Sequence, residues 1–244
     1  MIRRIAGGAA LAVAGLLAVL AIQAVLARRG EVAPFTEAPR TSRRFGDGPE
    51  LRYVVLGDST GAGQGADYED GIAVATARYL AGTGRRVRLV NLSVSGAKLG
   101  DVVAEQLPLA ARERPDVVLL SAGANDVTGL TSAGSIRADI ERIGDALPGA
   151  KLVLTASPDV GSSPRLHPPL RWVVDLRRRQ VNRAIRELAD RRDIEVAPIA
   201  ERTGPRFRAD RALFSPDRYH PNARGYATWI PPLTEALRRT GYSD

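Results

Sequence analysis

The sequence predicts a three-layer α/β/α sandwich with a parallel central sheet, preceded by an N-terminal transmembrane helix. Three observations lead to this fold class. Short apolar runs alternate with helical patterns, the 244 residues are 44% hydrophobic, and an uncharged apolar segment precedes both. Strands that alternate with helices pair in parallel and are covered by helices on both faces. A chain of this length and composition is expected to form one sizeable domain.

The apolar segment covers residues 5–27, which carry no charge and include Gln23 as the one strongly polar residue. As a helix it would be about 34 Å long, enough to cross a hydrocarbon core of about 30 Å. Arginines flank both ends, so the charges do not fix its orientation. We expect residues 1–27 to anchor the protein in a membrane, with the following domain outside the cytoplasm.

The alternative for this segment is a cleaved signal peptide, because its last three residues, VLA, loosely fit a cleavage site. The apolar region of such peptides is typically only about 7 to 15 residues long, which favours the anchor. A cleaved segment would make the protein a secreted one.

Residues 28–49 are predicted to be a linker. They contain prolines, glycines and mixed charges, and they lack an apolar run that could contribute to a core. The domain therefore covers residues 50–244.

Five apolar runs within this domain are predicted to be strands, at residues 51–56, 87–92, 117–120, 152–155 and, more weakly, 194–197. Helical patterns cover residues 71–80, 101–111, 135–147, 172–189 and 223–239. The helix at 172–189 places apolar residues on one face and arginines on the other, which is typical of a helix docked on a core. In such folds ligands gather at the carboxyl ends of the strands.

The composition excludes several kinds of chemistry. The chain has no cysteine, which excludes disulfides, thiolate catalysis and iron–sulfur clusters. Its two histidines, His167 and His220, disfavour a metal site. The formal net charge of +8 comes almost wholly from arginines that are spread along the chain. Because no aromatic residues interleave them, we expect a solvated surface and no nucleic-acid partner.

The first predicted strand ends in the sequence GDSTGAGQG at residues 57–65, which allows three interpretations. A nucleotide-binding loop requires GxGxxG or a GK[ST] ending, and this stretch has neither. The segment GDSTG satisfies the GxSxG elbow of the α/β-hydrolase fold, but that fold has strands upstream, where this chain has only the linker and the apolar segment. The third interpretation makes Ser59 a nucleophile whose partners lie later in the chain.

The sequence DRYH at residues 217–220 supplies the partners that a serine nucleophile needs. A carboxylate three residues before a histidine can reach Nδ1 of the imidazole and leave Nε2 facing a hydroxyl. A serine hydroxyl is a weak nucleophile and requires such a base. After the second and third strands, Gly96 can present a backbone N–H and Asn125 a side-chain amide to an oxyanion. All four segments fall at the same edge of the predicted sheet.

In these four segments the chain resembles the SGNH/GDSL hydrolase family. The matching residues are Gly57-Asp58-Ser59, Gly96, Gly123-Ala124-Asn125-Asp126 and Asp217-Arg218-Tyr219-His220, in the order of the family and within residues 51–240. One departure is Thr60, where the family name has leucine. The resemblance implies a flavodoxin-like sandwich, ester hydrolysis or acyl transfer, and no cofactor.

The residues and the resemblance together predict a role for each group. Ser59 is the nucleophile, His220 the base and Asp217 the group that orients the imidazole. The backbone N–H groups of Ser59 and Gly96 and the amide of Asn125 form the oxyanion hole. Two further aspartates, Asp58 and Asp126, are expected to hold turns through backbone N–H groups, and His167 is predicted to be a loop residue, or to line the substrate entrance.

Several functions fit this prediction. The main one is a serine esterase or lipase that acts on a small-molecule, lipid or glycan ester. The alternatives are an acyltransferase, a polysaccharide deacetylase, or a non-catalytic glycan- or lipid-binding module tethered to a membrane. The pocket walls are loops without a readable signal for acyl length or sugar, and no sequence feature specifies an oligomeric state.

Overall fold

The structure, a computed structural model, describes residues 2–29, 38–39 and 41–242. Within the first helix it describes the side chains of residue 11 and residues 13–27. A mixed sheet of six strands has the order β1-β3-β2-β4-β5-β6. The strands are β1 Arg43–Phe45, β2 Glu50–Gly57, β3 Arg86–Asn91, β4 Val117–Ser121, β5 Lys151–Leu154 and β6 Glu195–Val196.

Eleven α-helices lie in this part of the chain: α1 Ile2–Arg28, α2 Ser59–Ala62, α3 Ile72–Ala81, α4 Leu99–Asp101, α5 Leu107–Glu113, α6 Ala124–Thr128, α7 Ala133–Ala146, α8 Leu170–Arg192, α9 Ile199–Ala209, α10 Ala223–Ala227 and α11 Ile230–Arg238. A π-helical turn, Val102–Gln106, joins α4 to α5. Three 3₁₀ turns lie at Tyr68–Asp70, Val160–Ser162 and Arg211–Leu213.

The five predicted strands are present as β2 to β6, and they pair in parallel. Their order follows the flavodoxin-like pattern, in which the first strand lies between the second and the third. The direction of winding therefore reverses between β2 and β4. Ligands bind outside the carboxyl ends of the strands at such a point, which is where Ser59 and Asn125 follow their strands.

Alternation along the strands divides the interior into two cores. On one face, Val54 and Leu56 of β2 pack in a buried cluster with residues of α7 and α8. On the other face, Tyr53 and Val55 pack with residues of α3 and α11. Successive side chains of a strand point to opposite faces, so a continuous apolar run is buried on both sides. The helices thus form two layers around the sheet, as the sequence predicts.

The segment predicted to be a linker contributes a strand. β1 pairs antiparallel with β3, from Arg43 opposite Leu89 to Phe45 opposite Val87. The prediction missed β1 because three residues, two of them arginines, are too few to form an alternating pattern. Residues 30–37 and 40 of the predicted linker lie outside the described residues.

The predicted membrane anchor coincides with α1, but the structure does not support a membrane-spanning helix. In the part of the chain that is described, none of the helices is both long and apolar enough to cross a bilayer. Residues 2–10, 12 and 28 of the helix lie outside the described side chains.

Candidate active site

The end of β2 is held by a buried glutamine. Gln106 accepts a hydrogen bond from the Gly57 backbone N–H and donates one to the Gly57 carbonyl oxygen, both at 2.8 Å. Gly57 has a φ of +140°, and a Cβ there would lie 1.9 Å from the carbonyl oxygen of Ser121 in β4. Only glycine fits this position. The chain then turns into α2, with Asp58 as its N-cap and Ser59 as its first residue.

Ser59, His220 and Asp217 form one line of hydrogen bonds. The Ser59 Oγ lies 3.0 Å from Nε2 of His220, and Nδ1 of His220 lies 2.6 Å from Oδ2 of Asp217. With Nδ1–H donating to the carboxylate, Nε2 is free to accept the serine proton. The sequence places these groups 161 residues apart, and the fold brings them into contact.

The Asp217 carboxylate is buried, and both of its oxygens accept hydrogen bonds. Its Oδ1 accepts hydrogen bonds from the Ser215 hydroxyl and from the backbone N–H groups of Tyr219 and His220. Burial by itself would raise the pKa of Asp217, but these hydrogen bonds and the one to the imidazole outweigh it and hold the pKa well below its usual range. The group is therefore an anion at neutral pH.

The predicted oxyanion donors lie at the ends of the neighbouring strands. Gly96 follows β3 with a φ of +86°, and Asn125 lies in the first turn of α6, after β4. The Asn125 amide donates to the carbonyl oxygen of Ala97 at 3.0 Å, which links the two loops and leaves a second N–H on the same nitrogen. Asp126 accepts from the Leu99 N–H at 3.1 Å, as predicted for a turn-holding aspartate.

Asp58 and Thr60 fix the turn that carries Ser59. Asp58 Oδ1 accepts from the Thr60 backbone N–H and hydroxyl, at 2.8 and 2.7 Å, and the hydroxyl also lies 2.8 Å from Ser121 Oγ. Thr60, the departure from the family pattern, thus connects the turn to β4. Burial raises the pKa of Asp58 to about 6, although the hydrogen bonds from Thr60 oppose the rise.

An apolar cavity of about 50 Å³ opens beside Ser59 and His220. Its walls include Val160, Phe207 and Trp229. Trp229 is buried, and its Nε1–H makes no hydrogen bond within the described residues. This space, which holds only a few water-sized groups, is where an acyl group next to the Ser59 hydroxyl would lie.

Several supporting residues were not predicted from the sequence. Arg165 donates through Nε to the Asp217 carbonyl oxygen, and Tyr226 donates to the carbonyl oxygen of Gln64 at 2.8 Å. A Cβ at Gly65 would lie 2.4 Å from the carbonyl oxygen of Pro221, so the loops after β2 and before α10 touch. Gln106 and Arg165 belong to no recognisable motif, whereas Ser215, two residues before Asp217, is a candidate that its position alone could have indicated.

The second histidine lies away from this line of contacts. His167 is exposed in the loop before α8, as predicted, and it is not part of the wall of the cavity described above. Within the described residues, no group of three His, Asp or Glu side chains is placed to hold a metal ion.

Two comparisons of sequence give matches. The profile of the GDSL-like Lipase/Acylhydrolase family matches residues 55–228, which include all four segments. The GDSL-like esterase Rv1075c of Mycobacterium tuberculosis (strain ATCC 25618 / H37Rv) is 32% identical over 198 residues, which are 78% of this chain and 62% of that protein. The chain thus spans less than two thirds of the length of this relative.

Solved structures share the fold. The crystal structure of TesA matches with a TM-score of 0.62 at 22% identity and covers 78% of this chain and 99% of that one. The lipase/acylhydrolase from Enterococcus faecalis matches with a TM-score of 0.60 at 21% identity, over 78% of this chain and 96% of that one. At these identities the likeness concerns the arrangement of strands and helices.

Proposed function

The chain belongs to the GDSL-like lipase/acylhydrolase family, and on that premise we propose that it is a serine esterase that cleaves acyl esters through an acyl-serine intermediate. The observation that carries the proposal is the line from Ser59 through His220 to Asp217, with contacts of 3.0 and 2.6 Å. These are the distances at which a base takes a proton from a hydroxyl and a carboxylate orients the base.

In the proposed reaction, Ser59 Oγ attacks the ester carbonyl carbon while His220 Nε2 accepts the hydroxyl proton. The tetrahedral oxyanion is stabilised by the N–H groups of Ser59 and Gly96 and by the Asn125 amide. His220 then gives its proton to the leaving alcohol, and the acyl group stays on Ser59. A water molecule, deprotonated by the same imidazole, releases the acid and restores the enzyme.

The cavity beside Ser59 favours short acyl groups. The cavity offers about 50 Å³ to water-sized groups, so we expect it to hold acyl chains of roughly two to four carbons better than long ones. Turnover of p-nitrophenyl esters by the full-length chain should therefore be fastest for acetate to butyrate and fall for octanoate. A rate that rises steadily with chain length would contradict this substrate class, but not the serine mechanism.

The mechanism is tested by labelling. A serine-directed phosphonate should modify the full-length chain once, and peptide mapping should place the label on Ser59. Ser59→Ala should abolish both labelling and hydrolysis while the circular dichroism spectrum stays unchanged. A label on Ser93 or Ser121, which are also buried near this strand edge, would overturn the assignment.

The two histidines provide a matched pair of variants. His220→Ala should remove nearly all esterase activity, because among the described residues the His220 imidazole is the base in contact with the Ser59 hydroxyl. His167→Ala, on the exposed loop, should keep most of it. An inactive His167 variant beside an active His220 variant would refute the proposed triad.

We also propose that the domain works outside the cytoplasm, held at a membrane by the N-terminal segment. The uncharged residues 5–27 support this location, as do the exposed apolar side chains of α1. Full-length protein should then remain with membranes after high-salt and carbonate washes. A mature protein beginning at Arg28 would instead indicate secretion after cleavage.

A further inference from the structure

Exposed large apolar side chains are unevenly distributed over the described residues. Fourteen are exposed, and eight of these lie on α1. Of the other six, Leu109 lies on α5, and the remaining five lie in segments that follow the carboxyl ends of strands: Val94, Leu130, Trp172, Val173 and Leu176. In a parallel sheet these segments share one edge, which here is the edge that carries Ser59. The apolar surface therefore lies on the side of the candidate active site.

Four of these five residues form one patch around the start of α8. Trp172, Val173 and Leu176 lie in its first two turns, and Arg177 of the same helix donates to the carbonyl oxygen of Thr131, next to Leu130. The exposed fractions are 66% for Trp172, 60% for Leu176 and 74% for Leu130. We call Leu130, Trp172, Val173, Leu176 and two arginines further along the helix, Arg179 and Arg183, the α8 rim.

The rim changes from apolar to basic along the helix. Trp172, Leu176, Arg179 and Arg183 are exposed and follow a helical spacing of three or four residues, so they share one face. Arg183 lies about 10 Å along the axis from Leu176. Asp175 pairs with Arg179 at 3.1 Å, and Glu187 lies one turn beyond Arg183, yet α8 as a whole carries eight arginines against three acids. The apolar end is thus the end nearest the sheet edge.

We propose that the α8 rim docks on an anionic lipid surface. A tryptophan beside aliphatic side chains suits the boundary between acyl chains and headgroups, and arginines one and two turns behind suit anionic headgroups. A protein partner would not require this separation of apolar and basic residues along one axis.

The rim also adjoins the C-terminal end of α1. Gln23 of α1 donates to the Pro168 carbonyl oxygen at 2.8 Å and accepts from the Leu170 N–H at 3.1 Å. The last turns of α1, with Ile22 and Leu26 exposed, therefore adjoin the first turns of α8. In this proposal the exposed apolar side chains of α1 and of the rim meet the same lipid surface, with the candidate active site beside it.

Tryptophan fluorescence tests the proposal, because the chain has two tryptophans and Trp229 is only 2% exposed. The full-length chain is mixed with vesicles of phosphatidylcholine and phosphatidylglycerol, with and without bromine on the acyl chains. We expect a blue shift of the emission and quenching by the brominated lipid, and both should be lost in Trp172→Phe. This readout is independent of hydrolysis, so a failed esterase assay leaves it intact.

A chain that floats with the vesicles but shows no quenching of Trp172 would overturn the proposal, since α1 alone would then hold it. A blue shift that depends on protein concentration without lipid would overturn it in favour of a second copy. Arg179→Gln with Arg183→Gln should reduce binding to vesicles with phosphatidylglycerol severalfold and leave binding to pure phosphatidylcholine unchanged. Equal loss on both vesicles would refute the role of anionic lipid.

Discussion

At the scale of single residues, the two carboxylate oxygens of Asp217 have different hydrogen-bond partners. Oδ1 accepts three hydrogen bonds from its own loop, and Oδ2 faces the imidazole of His220. One oxygen therefore shapes the loop, and in the proposed mechanism the other sets the tautomer of His220. An asparagine could keep the first task while failing at the second.

Asp217→Asn should lower kcat by up to about ten-thousandfold without unfolding the protein. Its amide N–H would face Nδ1, so the imidazole would carry its proton on Nε2, toward Ser59, and could not accept the serine proton. Ester hydrolysis and near-UV circular dichroism check the two halves of this expectation. Retention of a tenth or more of the activity would show that the tautomer does not matter here.

Asp58→Asn should change stability in a pH-dependent way. The pKa of Asp58 is about 6 in the folded protein, above its usual value near 4, so the ionised form is penalised by burial. The free energy of unfolding of the wild type should therefore fall relative to that of the variant as the pH rises from about 4 to 6. The fall is at most roughly 3 kcal/mol, and the difference should stay constant at higher pH. Urea unfolding at pH 4 to 8 measures this, and a difference that is constant over the range would contradict it.

The sequence predicts the candidate reacting residues, but it does not predict the side chains that contact and position them. Ser59, Asn125 and His220 belong to short motifs at strand ends, so their spacing and residue type are informative. The bonds of Gln106 to Gly57 and of Arg165 to the Asp217 carbonyl join segments about 50 residues apart, and both recipients are backbone atoms. Any residue type provides a backbone atom, so no local pattern marks such a contact.

At the scale of elements, the junction of β2 with β4 depends on a glycine. Gly57→Ala should destabilise the protein by several kcal/mol, because a Cβ 1.9 Å from the Ser121 carbonyl oxygen forces the two strands apart. Gly84→Ala is the matched control: its φ is +80°, but no atom lies within 4 Å of the added Cβ, so only about 1 to 2 kcal/mol of backbone strain is expected. Urea midpoints that are equal for the two variants would refute the steric argument.

The helices reveal where local patterns fail. α9 was not predicted, because Pro205 within Ile199–Ala209 argues against a helix. The predicted helix at 223–239 is divided into α10 and α11, since Pro231 and Pro232 suit the first turn of a new helix. The strands were easier to predict, because burial on both faces leaves long apolar runs that polar loops interrupt.

At the scale of the whole molecule, the sheet needs its antiparallel edge. A chain beginning at Glu50 should unfold at a lower urea concentration than one beginning at Thr41, and it should aggregate more at equal protein concentration. Without β1, the edge of β3 is unpaired, and the ion pair between Arg43 and Glu69 is lost. Both shortened chains lack α1, so the comparison isolates residues 41–49, which contain β1 and the Pro49 carbonyl oxygen that accepts from the Arg86 N–H. Equal midpoints and equal light scattering would show that β1 contributes nothing.

The three layers could be predicted because alternation of strands and helices determines parallel pairing. The edge strand β1 could not be predicted, since its three residues are stabilised by the neighbouring β3 and not by their own sequence. The placement of α1 beside α8 likewise depends on tertiary contacts, which Gln23 makes with backbone groups.

The contacts of Gln23 connect α1 to the loops around the candidate active site. The Gln23 side-chain amide hydrogen-bonds to the backbone of Pro168 and Leu170. In the same loop, Arg165 and Ser163 donate to the carbonyl oxygens of Asp217 and Arg218. A path of hydrogen bonds therefore joins α1 to the loop that carries His220. We therefore expect a fragment without α1 to have rate constants different from those of the full-length chain, so kinetic measurements should use the full-length chain.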